Sequence, residues 1–264
     1  MHALKRNHRL IVTGGLVACG GKVHIGPMLP ACQSKPYGIL ARAINAWPAI
    51  LVLIAALFVP FAAKTADDSA GSGQTPILFA FGDSLTAGYG LAPGEGFTDQ
   101  LADALHASGR NVRVVNAGVS GDTSASARAR LDWALDSLKA RPALAIVELG
   151  ANDALRGLEP RLTRANLAAI IEALDARGIP VLLAGMLAPP NMGRDYEAEF
   201  NAIFPDLAGA YGAAFYPFFL DGVAAAPKLN QADGIHPNAK GVAVIVERML
   251  PVILPLLPKD KATH

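Results

Sequence analysis

From Ile77 onward, short apolar runs alternate with longer amphipathic stretches. Five runs read as strands: Ile77–Phe81, Val112–Val115, Leu144–Leu149, Val181–Gly185 and a short Ala214–Tyr216. Helical periodicity recurs near Phe97–Ser108, Ser124–Lys139, Arg164–Arg177 and Tyr196–Tyr211, and again from about Lys240 to Leu254. This alternation predicts an α/β fold, a parallel sheet of about five strands with helices on both faces. The strand runs are almost unbroken in apolar residues, as strands covered on both faces require. Crossovers are expected to be right-handed. No repeat at solenoid spacing and no low-complexity tract interrupts the pattern.

Before Ile77 the pattern differs. Ala43 to Ala63 carries no charge, Arg42 precedes it, and Ala62, Ala63, Ala66 and the pair Asp67, Asp68 follow. Basic flank, apolar run and small residues predict a secretory signal. A retained membrane anchor is the alternative, since about 20 uncharged residues can span a bilayer. Either reading puts the following domain outside the cytoplasm, periplasmic or secreted, because the basic flank stays inside. Membrane contact would come only through this segment, if it is uncleaved. The first forty residues exceed the length of a signal peptide, which points to a start further downstream, Met28 being one candidate. Leu16-Val17-Ala18-Cys19 after Lys5, Arg6 and Arg9 offers a lipoprotein cleavage box as a third reading. The chain thus divides into a basic extension with signal or anchor (1–66), a small polar linker (67–76), the main domain (77–258) and a short tail (259–264).

Of 264 residues, 52% are hydrophobic and 17% charged, enough for one sizeable domain plus an appendage. The net charge of +1 hides an asymmetry: residues 1–63 hold six basic residues and no acidic one. Residues 64–264 then carry 17 basic against 22 acidic side chains, no electrostatic footprint for nucleic acid. Both cysteines, Cys19 and Cys32, precede the main domain. Disulfides, thiol nucleophiles and cysteine-based zinc sites are therefore excluded from it.

The first three predicted strands end in turns at one edge of the sheet: Gly82–Gly90, Asn116–Thr123 and Gly150–Gly157. Ligands and chemistry in open α/β sheets collect at that edge. Ser84, in Gly82-Asp83-Ser84-Leu85, is a candidate nucleophile if a base can take its proton. The main domain and tail hold only His106, His236 and His264. His106 falls on a predicted helix and His264 ends the chain. His236 lies in a turn before the last helix, three residues after Asp233, whose carboxylate can hold the second imidazole nitrogen. Turn formation and helix capping are the plain alternative for Asp233 and His236. Acyl transfer also needs donors for an oxyanion. The Ser84 N–H, the Gly121 N–H and the Asn152 amide are candidates, though Gly121 and Asn152 also read as ordinary turn residues.

Four blocks, FGDSLTAGYG, VVNAGVSGDTSA, VELGANDALRG and DGIHPNAKG, in that order, resemble the GDSL or SGNH hydrolase family. The similarity is closest to its bacterial thioesterase I/arylesterase (lysophospholipase L1-like) branch and extends over about Ile77 to Pro251. The resemblance implies a three-layer α/β/α, flavodoxin-like fold. It implies Ser84 as nucleophile and oxyanion N–H, Gly121 rather than Gly118 as oxyanion glycine, and Asn152 as oxyanion amide. Asp233 and His236 match the orienter and the base. The implied activity is hydrolysis of small-molecule acyl esters or thioesters, with no metal and no cofactor. Loops Leu155–Pro160 and Pro189–Asp195 would shape the acyl pocket, with Leu155, Arg156, Pro190 and Asn191 as substrate-binding candidates. The chain lacks a G-x-S-x-G elbow, which disfavours the ordinary α/β-hydrolase arrangement. Two alternatives stay open: a carbohydrate deacetylase of the same family, and a flavin mononucleotide-binding module using Ser84–Gly88 as a phosphate loop.

Overall fold

The computed structural model describes residues 75–259. The chain divides into two units, Met1–Thr65 and Ala66–His264, and every element described belongs to the second. The readings of a signal, anchor or lipoprotein box, and of His264, lie outside the described residues. Among the described residues, no helix is long and apolar enough to cross a membrane.

Five strands form one parallel sheet in the order β2-β1-β3-β4-β5. They are β1 (Ile77–Gly82), β2 (Arg113–Gly118), β3 (Leu144–Glu148), β4 (Val181–Ala184) and β5 (Ala214–Tyr216). The main crossover helices are α2 (Phe97–Ala107), α3 (Ser124–Asp136), α5 (Pro160–Asp175) and α7 (Ile203–Tyr211), and α8 (Ala239–Ile253) closes the fold. From β1 the chain steps to β2 on one side; from β2 it jumps back past β1 to β3 and continues the other way. With right-handed crossovers, that reversal puts α2 on one face and α3, α5 and α7 on the other. The packing agrees: α2 lies against α8, and α5 against both α3 and α7. The reversal also leaves a crevice between the carboxyl ends of β1 and β3, the place where ligands bind in sheets of this order.

Strands β1, β3 and β4 are buried along their whole length, as their apolar runs require. β2 differs. It is an edge strand, half-exposed, and it runs on to Gly118, through Asn116 and Gly118 that read as turn residues. Gly118 pairs with Gly82 of β1, and a Cβ on it would lie 2.4 Å from the Ala87 nitrogen. Glycine thus lets the segment after β1 lie directly on β2.

Two short helices replace expected turns. α1 (Ser84–Ala87) is capped by Asp83, whose carboxylate accepts the Leu85 N–H, and ends at Gly88 with φ 81°. α4 (Ala151–Leu155) follows Gly150, at φ 111°. The predicted helix Tyr196–Tyr211 is two helices, α6 (Arg194–Asn201) and α7. Pro205 explains the break: it has no N–H for the Asn201 carbonyl, and it is tolerated in the first turn of α7, where that bond is missing anyway. Helix α5 starts a turn before the predicted Arg164, with Pro160 in its first turn.

Candidate active site

Ser84 is the first residue of α1, directly beyond β1, rather than part of an open loop. His236 reaches it from the other end of the chain. Its Nε2 lies 2.9 Å from Ser84 Oγ, and its Nδ1 lies 2.7 Å from Asp233 Oδ2. The other carboxylate oxygen of Asp233 accepts the N–H groups of Ile235 and His236 at 2.9 and 3.0 Å. Those bonds, first the His236 backbone N–H and then its ring, hold the Asp233 carboxyl at about 2, well below its ordinary value. An ionised carboxylate only accepts, so Nδ1 carries the imidazole proton and Nε2 offers its lone pair to the Ser84 hydroxyl. Asp233 thus forms the turn and orients the imidazole with the same side chain. Capping of α8 falls to Asn238 instead, whose Oδ1 accepts from Lys240 and Gly241.

The turn bearing His236 is tied to the Ser84 segment by Gln231, whose Nε2 donates to the carbonyls of Tyr89 and Pro237. Asn230 anchors the same turn by donating to the carbonyls of Val223 and Ala226. The Tyr89 ring packs against the imidazole at 4.6 Å between centroids. His106, the other histidine among the described residues, is solvent-exposed on α2.

Three donors stand at the ends of three neighbouring strands. The Ser84 N–H opens α1, where no intrahelical acceptor exists. The Gly121 N–H, after β2, donates to no protein group among the described residues, and Gly121 sits at φ 84°. Gly118, the neighbouring glycine, is otherwise engaged, because its N–H donates to Asn116 Oδ1 at 2.9 Å. Asn152, on α4 beyond β3, donates from Nδ2 to Asp83 Oδ2 at 3.1 Å.

Several supporting residues receive no role in the sequence reading, although Asp83, Glu148 and Asp153 stand inside the blocks quoted above. Asp153 is buried and accepts from Ser124 N–H, Ser124 Oγ and Thr163 Oγ1, locking α3 and α5 to α4. Arg130 donates to Asp122, beside Gly121, and to the Gly82 carbonyl, with its guanidinium over the Phe81 ring. Asp83 and Glu148 are both fully buried; burial pushes Asp83 up to about 6 and Glu148 well above its ordinary value. The neighbouring Asp83 charge raises Glu148 further.

The expected pocket residues fall on two segments that meet: a Cβ on Gly157 would lie 3.3 Å from Met192 Cε. Leu155 is half-exposed. Pro190 and Asn191 are exposed in a 3-10 turn, Pro190–Met192. Arg156 is exposed and donates to the Gly121 carbonyl at 2.9 Å, so it braces the turn that carries Gly121. Among the described residues, no cluster of histidine, cysteine or acidic side chains could hold a metal ion.

Comparison with known proteins identifies the family. Residues 80–244 match the GDSL-like lipase/acylhydrolase family. The chain is 41% identical over 180 residues to esterase TesA of Pseudomonas aeruginosa, covering 68% of this chain and 89% of that one. It is 37% identical over 183 residues to thioesterase 1/protease 1/lysophospholipase L1 of Escherichia coli, covering 69% and 86%. The crystal structure of AlinE4, an SGNH-hydrolase family esterase, shares 50% identity with a TM-score of 0.60, covering 71% of this chain and 99% of that one.

Proposed function

The chain belongs to the GDSL-like lipase/acylhydrolase family, and on that premise we propose that Ser84 is the nucleophile of an ester and thioester hydrolase, His236 its general base and Asp233 the orienter of that base. The relay from Asp233 through His236 to Ser84, with both contacts at hydrogen-bond distance, carries this reading.

His236 Nε2 takes the Ser84 hydroxyl proton as Oγ attacks the acyl carbonyl. Negative charge moves to the carbonyl oxygen, where the N–H groups of Ser84 and Gly121 and the Asn152 amide receive it. The bond to the alcohol or thiol breaks, and His236 returns the proton to the leaving oxygen or sulfur. Water, deprotonated by the same imidazole, then attacks the acyl-enzyme; the acid departs and Ser84 regains its proton. The chain's own residues supply every proton transfer in this cycle.

The substrate proposed is a small acyl ester or thioester with an apolar acyl group. Tyr89, Val119, Leu155 and Ile235 are large hydrophobic residues left exposed on the segments that carry Ser84, Gly121, Asn152 and His236. A panel of p-nitrophenyl esters and acyl thioesters of increasing chain length, with sugar acetates alongside, tests this. KM is expected to fall as the acyl chain lengthens, and activity confined to sugar acetates would contradict the reading. Export of the domain is proposed on the sequence pattern of Arg42 to Asp68. Mass spectrometry of the N-terminus of the exported protein checks it, a cleaved end near Ala63 or Ala66 being expected.

A further inference from the structure

An asparagine amide is nearly symmetric in shape, but its ends are chemically opposite: the nitrogen donates and the oxygen accepts. At an oxyanion site only one orientation helps, since the flipped amide would set its oxygen against developing negative charge. We propose that Asp83 is the residue that makes this choice, a positioning residue that holds the Asn152 amide with its nitrogen toward the reaction. The inference rests on the assignment of Asn152 to the oxyanion site.

Asp83 Oδ2 accepts from Asn152 Nδ2 at 3.1 Å. One amide hydrogen is thereby fixed and the other is left for substrate. A flipped Asn152 would place its carbonyl oxygen against the carboxylate, two acceptors with no proton between them. Asp83 is itself held through both carboxylate oxygens. Its Oδ1 accepts the Leu85 N–H at 3.0 Å, so the same carboxylate caps the helix whose first residue is Ser84. Nucleophile and amide are thus referenced to one buried group.

Glu148 forms the floor beneath it. Its Oε2 accepts from Thr86 Oγ1 at 2.8 Å and, at 3.4 Å, from the Asp83 N–H. Its Oε1 is buried with no partner, a costly arrangement for a merely structural side chain. Space for it comes from Gly82, where a Cβ would lie 2.1 Å from Thr86 Oγ1 and 2.7 Å from Glu148 Oε2. Gly82, Asp83 and Glu148 therefore act as one unit whose outlet toward the site is the amide of Asn152.

The test is a double-mutant cycle on p-nitrophenyl ester hydrolysis with Asp83→Asn and Asn152→Ala. Asp83→Asn keeps an oxygen for the Leu85 cap but turns a donor toward Asn152 Nδ2. Asn152→Ala alone is expected to lower kcat by about 10²–10³-fold. Asp83→Asn alone should lower kcat by about tenfold or more with little change in KM, and by less than about twofold when Asn152 is already alanine. The same loss in both backgrounds would overturn the positioning role and leave the oxyanion reading standing. An unchanged kcat in Asn152→Ala would overturn the oxyanion reading, and this inference with it. If Asp83→Asn does not fold, Asn152→Asp is added to it, which restores a donor–acceptor pair with the original charge. Recovery of cooperative melting in that double variant supports the contact, and failure to recover contradicts it.

Discussion

Asp233 grips His236 with both carboxylate oxygens: Oδ1 takes the backbone N–H and Oδ2 takes the ring Nδ1. In Asp233→Asn an amide oxygen can keep the backbone bonds, but an NH2 group then faces Nδ1. The imidazole is pushed to the other tautomer, with its Nε2 proton aimed at Ser84. Steady-state kinetics should show kcat reduced by about 10³–10⁴-fold while the fold is retained. A loss below tenfold would contradict the orienting role.

The same grip sets an acid limit on stability. The Asp233 carboxyl titrates at about 2 in the folded chain instead of its ordinary 3.8. A depressed carboxyl stabilises the fold above its unfolded value, and the contribution disappears as pH falls through the folded one. The melting temperature of the wild type should therefore fall more steeply than that of Asp233→Ala between about pH 4 and pH 2. Parallel curves would contradict this.

Glu148 works in the opposite direction. Its carboxyl is raised by burial and by Asp83, so the folded state binds the proton more tightly than the unfolded chain does. Stability then declines as pH rises from the ordinary glutamate range toward the folded value. Glu148→Gln cannot ionise and lacks this decline. The melting temperature of the glutamine variant, relative to wild type, is expected to rise as pH climbs above the ordinary glutamate range. A difference independent of pH would show that Glu148 does not titrate as described.

Gly121 separates activity from stability. Its φ of 84° suits glycine, yet the nearest atom to an added Cβ is 3.8 Å away. Gly121→Ala meets backbone strain of about 1–2 kcal/mol but no clash. The turn can relieve that strain by rotating, which swings the N–H away from the site. Thermal melting should drop by only a few degrees while kcat falls about 10–100-fold. Equal kcat in both proteins would remove the Gly121 N–H from the oxyanion site.

The sheet, its five strands and the edge that carries the chemistry were legible in the sequence, because buried parallel strands are written as unbroken apolar runs. The edge strand β2 was read three residues short, since Asn116 and Gly118 look like turn formers until a neighbouring helix is seen to need the space. α1 and α4 were missed for a different reason: each is a single turn or so of helix, too short to show periodicity. The site candidates were legible from the shortage of histidines and the spacing of Asp233 and His236. Gln231, Asp153, Arg130 and the Asp83–Glu148 pair were not. Each has a partner between 29 and 142 residues away in the chain, a contact that no local pattern shows.

The central claim is that Ser84 Oγ forms the covalent intermediate. Incubating the enzyme with a p-nitrophenyl alkylphosphonate, followed by intact-mass and peptide mass spectrometry, tests it most directly. One phosphonyl group per chain is expected, on the peptide containing Ser84, with activity lost in proportion and no adduct on Ser84→Ala or after acid unfolding. An adduct at another residue, or inactivation of Ser84→Ala at the wild-type rate, would contradict the account.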